Sequence, residues 1–209
     1  MKRRIMMAAL LATTTSMLAG CGSPGTTRDK KLASNMAKAR PALIETREEV
    51  ASILANVDKL QTESTDPTTV YPEFRKQAES IAKRAEKLKK HRMAIAKSGK
   101  IKFDAWREEL KTIRDETLRA QSLQRMQEAL KAQEKTLASL KRTQTILDAF
   151  SIDLKDLVKY LDLDLSRKGI EAITSSFDKS RKDGLKLKQE IDGVLKTISK
   201  AQNVSIPQT

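Results

Sequence analysis

Leu32, Met36, Ala39, Leu43, Val50, Ile53, Val57 and Leu60 succeed one another on alternating four- and three-residue steps, and only Thr46 interrupts them. Such a stripe runs along one side of an α-helix and has to be covered by another helix. The spacing returns in Phe74, Ala78, Ile81, Ala85, Leu88 and Ile95, and again in Leu123, Met126, Leu130, Leu137, Leu140 and Leu147. Ile170, Ile173, Phe177, Leu187, Ile191, Val194 and Ile198 complete the set. Aromatic residues make up 3 % of the chain and charged residues 33 %, so a broad core is out of reach, whereas narrow seams between charged faces are not. The expected class is all-α: an elongated antiparallel helical bundle or coiled coil with long helices. Heptad seams bury equally well within one chain or between copies, which leaves a homo-oligomer open.

In chain order, a first helix is expected over residues 29–61. Pro41 would either kink it or serve as its first residue. Residues 62–72 hold two prolines and a cluster of short polar side chains, a loop signal. A second helix starts near Glu73. Ser98-Gly99 weakens it, and the stripe slips by one residue there before Phe103, Trp106, Leu110 and Ile113 resume it, so its continuity through the glycine is open. No turn signal appears between Phe103 and Thr143, and an unbroken helix of ~40 residues would be ~60 Å long. The apolar run over residues 147–165 either continues that helix or comes after a break near Phe150-Ser151. Residues 163–169 form the next turn candidate, with Ser166 placed to cap the last helix. That helix should run to about Gln202, with a frayed tail over 203–209. Residues 29–202 thus form a single elongated helical domain.

Upstream, Lys2, Arg3 and Arg4 precede an apolar stretch over residues 5–18, and Leu18-Ala19-Gly20-Cys21 closes it. This is the layout of an export signal over residues 1–20, and about fourteen residues are fewer than the ~20 a membrane-spanning helix needs. The four closing positions resemble the lipobox of bacterial lipoproteins. That resemblance implies acylation of Cys21 and membrane attachment through the N-terminal lipid, which two or more acyl chains make stable. It implies an envelope location, and Gly22, standing where a retention signal would place Asp, favours the periplasmic face of the outer membrane. The only cysteine is then consumed, and residues 21–28 form a flexible tether.

The formal charge of the chain is +14. Its densest concentration lies over residues 83–102, where Lys83, Arg84, Lys87, Lys89, Lys90, Arg92, Lys97, Lys100 and Lys102 face a single acid, Glu86. A solvated helix face is the bland account of such a run. The sharper one is a surface for an anionic partner: anionic lipid, lipopolysaccharide, wall polymer or an acidic protein. Nucleic acid is not expected, since the run lacks stacking aromatics and export removes the usual target. Asp162-x-Asp164-x-Ser166 begins like a calcium loop but has Arg167 where glycine is required and Ile173 where a bidentate Glu belongs. His91, the one histidine, stands among lysines and has no di-iron-type partner motif. Phosphate loops and nucleophile elbows are absent from the sequence. Phe103 and Trp106, three apart on an amphipathic helix, are packing anchors. Neither an enzyme, a cofactor nor a metal is expected.

Phe103-x-x-Trp106-x-x-Glu109-Leu110, Leu118-Arg119-x-x-Ser122, Asp156, Tyr160-Leu161 and Ala172-Ile173 together resemble an uncharacterised family of helical coiled-coil envelope proteins, over roughly the last hundred residues. The family's Lys-His-Asn-Leu-Asn-like stretch is replaced here by Asp162-Leu163-Asp164-Leu165-Ser166. The resemblance implies class and location, and no reaction. The functional expectation is a lipid-anchored helical scaffold or interaction protein of the bacterial envelope, its basic helix segment serving anionic partners. The alternative is a periplasmic holdase-like or lipid-binding coiled-coil module.

Overall fold

A computed structural model describes residues 24–62 and 65–205; the expected signal peptide, Cys21 and the end of the tail lie outside the described residues. The elements are α1 (Pro24–Gln61), α2 (Pro67–Leu110), α3 (Glu116–Leu163), the short α4 (Arg167–Ala172) and α5 (Thr174–Ser205). Among the described residues there is no strand. The four long helices form an antiparallel ring in which α1 packs on α2 and α5, and α3 packs on α2 and α5. The α4 turn touches both α1 and α5 at the end where α3 stops.

Short side chains set the helix ends. Asp66 precedes Pro67 and accepts a bond from the Thr68 amide at 2.9 Å, so α2 begins six residues before the expected start. Ser166 accepts from the Gly169 amide at 3.1 Å and caps α4, the first segment of the divided last helix. The helix α1 starts at Pro24, which makes residues 24–28 of the expected tether helical, and it continues through Pro41. Proline removes one amide donor there, and burial of Ala39, Ala42 and Leu43 around it holds the segment helical. The α2 helix is continuous through Ser98-Gly99, and α3 through Phe150-Ser151.

The unbroken rod expected between Phe103 and Thr143 does not exist. The chain turns back over residues 111–115, between α2 and α3. Asp115 accepts from the Leu118 amide at 2.9 Å, and Glu116 stands in the first turn of α3. Leu118, the only large apolar residue between Ile113 and Leu123, is 58 % exposed. With no stripe to bury for ten residues, nothing holds a helix straight through this stretch. The last helix is likewise divided at Ile173, whose amide donates to the Ile170 carbonyl at 3.2 Å, and α5 runs on to Ser205.

The stripes read from the sequence form one continuous core, with Phe74, Phe150, Phe177, Met36, Leu43 and Ile53 among its fully buried side chains. Polar residues interrupt it; several of them are hydrogen-bonded within or across helices, whereas Thr143 Oγ1 and Ser180 Oγ are buried with no partner. Thr46, the break in the first stripe, donates to the Ala42 carbonyl at 2.6 Å. Asn56 donates to Gln77 Oε1 at 2.9 Å across the α1–α2 seam. Gln133 and Gln144 of α3 reach the Ile95 and Ala85 carbonyls of α2 at 3.2 and 3.0 Å. Gly99 leaves space on the seam: a Cβ there would sit 1.5 Å from Gln133 Nε2, so the glycine makes the hole that the glutamine fills.

Gly99→Ala should therefore lower unfolding stability in urea by about 1 kcal/mol, displacement of Gln133 outweighing the gain in helix propensity. In a Gln133→Ala background the same change should instead stabilise by about 0.5–1 kcal/mol. A sum of the two single effects that matched the double variant would show that Gly99 is not kept open by Gln133.

Candidate functional site

The antiparallel ring brings distant charges to common levels. Arg84 with Glu45, Gln144 with Ala85, and Arg47 with Asp192 mark the middle of the bundle. Leu43, Leu88, Leu140 and Val194 are buried near that level. On the side that contains the start of α1 (residues 24–43, 89–139 and 194–205), there are 20 Lys and Arg against 8 Asp and Glu, a net charge of +12. The described residues of the other half hold 18 of each, a net charge of zero. The chain's excess positive charge is thus concentrated at one end of the bundle.

Along α2 the expected basic surface is only partly realised. Lys83, Lys89, Lys90, Arg92 and Lys97 have no ion-pair partner among the described residues, while Lys87 approaches Glu45 at 3.8 Å. Arg84 is occupied, meeting Glu49 at 2.6 Å and Glu45 at 3.1 Å, and Lys100 pairs with Asp104 at 2.6 Å. Lys102 is not a surface residue at all: its side chain is 5 % exposed and its Nζ lies 2.7 Å from Asp29 Oδ1. It also stands 5.3 Å from the Phe103 ring centre and 5.5 Å from that of Trp106, which stack on each other at 6.3 Å. Phe74, Ile81, Leu88, Ile95 and Lys102 lie in steps of seven, so the spacing alone puts Lys102 on the seam. His91 is half-buried, and burial first, then the charges of Lys87 and Lys38, hold its pKa below the ordinary value.

What the sequence did not bring together is α1 and α2. Arg28, Lys31 and Asn35 of α1 and Ala94, Lys97, Ser98 and Ile101 of α2 line a groove of about 550 Å³, together with Thr27. Asn35 Nδ2 donates to the Ala94 carbonyl at 3.2 Å and lies 3.0 Å from Ser98 Oγ, fixing the floor. Arg28 pairs with Glu109; Lys31 and Lys97 have no ion-pair partner among the described residues. Farther along the same two helices the groove changes sign, where Glu45, Glu48, Glu49 and Glu73 line it with Lys76 and Arg84. The segment that resembled a calcium loop is otherwise engaged. Asp162 Oδ1 accepts from the Tyr71 hydroxyl at 2.5 Å and from Arg75 at 3.0 Å, and Asp164 accepts from the Ser166 amide at 3.0 Å. Burial first, and then that bond to Asp162, push the Tyr71 hydroxyl pKa up to about 12. Among the described residues no group of three or more His, Cys, Asp or Glu is placed to hold a metal ion, and no helix is long and apolar enough to cross a membrane.

These features define an all-helical, charge-polarised bundle whose most distinctive surface is a basic groove at one end. A family model covers residues 20–205, and the chain belongs to that family, described as Protein of unknown function (DUF2959). The match takes in the whole described bundle rather than only the stretch after Phe103. No curated protein and no solved structure matches the chain. Of the residues that carried the resemblance, those from Phe103 to Ser122 lie around the α2–α3 turn, where Trp106 Nε1 donates to Ser122 Oγ at 3.0 Å, Glu109 holds Arg28 and Leu110 is buried. Asp156, Tyr160-Leu161 and Ala172-Ile173 lie at the opposite end of α3 and at α4.

Among the described residues Asp29 is the only carboxylate paired with Lys102, and it is 41 % exposed. Asp29→Asn should cost about 1–2 kcal/mol in urea unfolding, less than for a pair buried on both sides. Adding Lys102→Met should recover most of that loss, because a buried apolar side chain needs no counter-charge. Failure of the second change to restore stability would mean that Asp29 acts through something other than the lysine.

Proposed function

We propose that this protein is a lipid-anchored helical scaffold or interaction protein of the bacterial envelope, carried on the periplasmic face of the outer membrane with its basic end toward anionic partners. The observation that supports this most is a coincidence of position. Cys21 precedes Pro24 by three residues, a reach of at most ~11 Å, and α1 enters the bundle in the half with the net charge of +12. An acylated Cys21 would hold that half against the membrane surface, where each nearby cation contributes ~1 kcal/mol of attraction to anionic head groups. The role is one of attachment and contact rather than of catalysis. A holdase-like module would need its seams open to clients; here Leu43, Ile81, Leu140, Leu147 and Ile191 of those seams are fully buried.

Two measurements test this reading. Cys21→Ser should move the protein from the membrane to the soluble fraction of cells. Protein beginning at Gly22, which retains all five helices, should sediment with phosphatidylglycerol-containing vesicles and not with pure phosphatidylcholine, and at least tenfold more weakly at 500 mM than at 50 mM salt. Equal binding to both vesicles, or none to either, would remove the basic end from the proposed function.

A further inference from the structure

Resting on the proposed attachment to an anionic leaflet, we propose that the α1–α2 groove is a discrete binding site for one phosphorylated lipid head group. The partner is a glycerophospholipid whose phosphate sits between Lys31 and Lys97 and whose glycerol and first methylenes lie over Ala94 and Ile101. Three properties of the groove point to this class of ligand. Its positive charge is only partly neutralised: Arg28 is taken by Glu109, whereas Lys31 and Lys97 have no ion-pair partner among the described residues. It has an apolar side that a free inorganic anion would not use: Ile101 is 53 % exposed within α2, and Ala94 lies seven residues before it on the same face. Its polar floor is fixed in advance, since the bonds from Asn35 to the Ala94 carbonyl and to Ser98 are made within the protein.

The groove is also where such a ligand would be met. Thr27, Arg28 and Lys31 belong to the first turns of α1, six to ten residues beyond Cys21, and the acidic continuation of the same groove would repel an anion placed farther from the anchor. Diffuse attraction by twenty cations needs none of this construction. It would treat Lys89 and Lys90, two unpaired cations on the same helix, as equivalent to Lys31 and Lys97.

That equivalence can be put to experiment. Protein beginning at Gly22 is titrated with monomeric dihexanoylphosphatidylglycerol, dihexanoylphosphatidylcholine and inorganic phosphate, and binding is read by calorimetry and by amide chemical shifts, with helix content checked for each variant. The expected result is one-to-one binding of dihexanoylphosphatidylglycerol, with shifts clustered at Lys31, Asn35, Lys97 and Ile101. It should be weakened at least tenfold by Lys31→Gln with Lys97→Gln, and by Ile101→Asp, but less than twofold by Lys89→Gln with Lys90→Gln. Inorganic phosphate binding as tightly would overturn the lipid assignment. Equal weakening by the two lysine pairs, or no saturable binding, would overturn the site; salt-sensitive sedimentation with anionic vesicles would then still leave the proposed function standing. Loss of both kinds of binding would remove both.

Discussion

A thin core governs this structure. Each long helix has two neighbours in the ring, and its narrow stripe of Leu, Ile and Val with only a few aromatics must face both. At particular places the helices approach through small residues and holes. Gly99 receives Gln133, and Gly184 lies so close to Leu54 that a Cβ would be 2.8 Å from its Cδ2. Interiors of this kind gain stability from close dispersion contacts over a long seam rather than from any single anchor. Sensitivity to shape is the result, because a hole that admits a glutamine amide admits little else.

Closure of the ring depends on the contact between α1 and α5, the first and last of the described elements. Arg181 meets Asp58 at 2.6 Å and Arg47 meets Asp192 at 2.7 Å along that seam, with Leu54 over Gly184 between them. Without α5 the inner faces of α1 and α3 would each lose one of two neighbours. Contacts across more than a hundred residues must form before the core is dry, whereas the α2–α3 hairpin can form locally around Trp106 and Ser122.

The stripes were legible in the sequence because a three- and four-residue period has one structural meaning. The turn at residues 111–115 was not, since it contains neither glycine nor proline; its signals are the single cap Asp115 and an apolar gap of ten residues around Leu118. Lys102 could have been placed on the seam from its heptad spacing, but its chemistry argued for the surface, and the proximity of Asp29 and of the Phe103 and Trp106 rings makes its burial tolerable. The basic run of α2 was visible as a run. Its completion by Lys31 and Arg28 was not, because helix pairing joins residues some seventy positions apart and no local pattern records which faces will meet.

The separation of charge along the bundle has a mechanical side. At 1.5 Å per residue the 44 residues of α2 span ~66 Å, so the centres of the basic and neutral halves lie ~33 Å apart. At physiological ionic strength an anionic surface is felt over only about 8 Å. Near such a surface one half is drawn in while the other is left indifferent, and the outcome is a torque as much as an attraction. A bundle polarised in this way would lean its basic half toward such a surface and leave α4, at the opposite end, directed away from it.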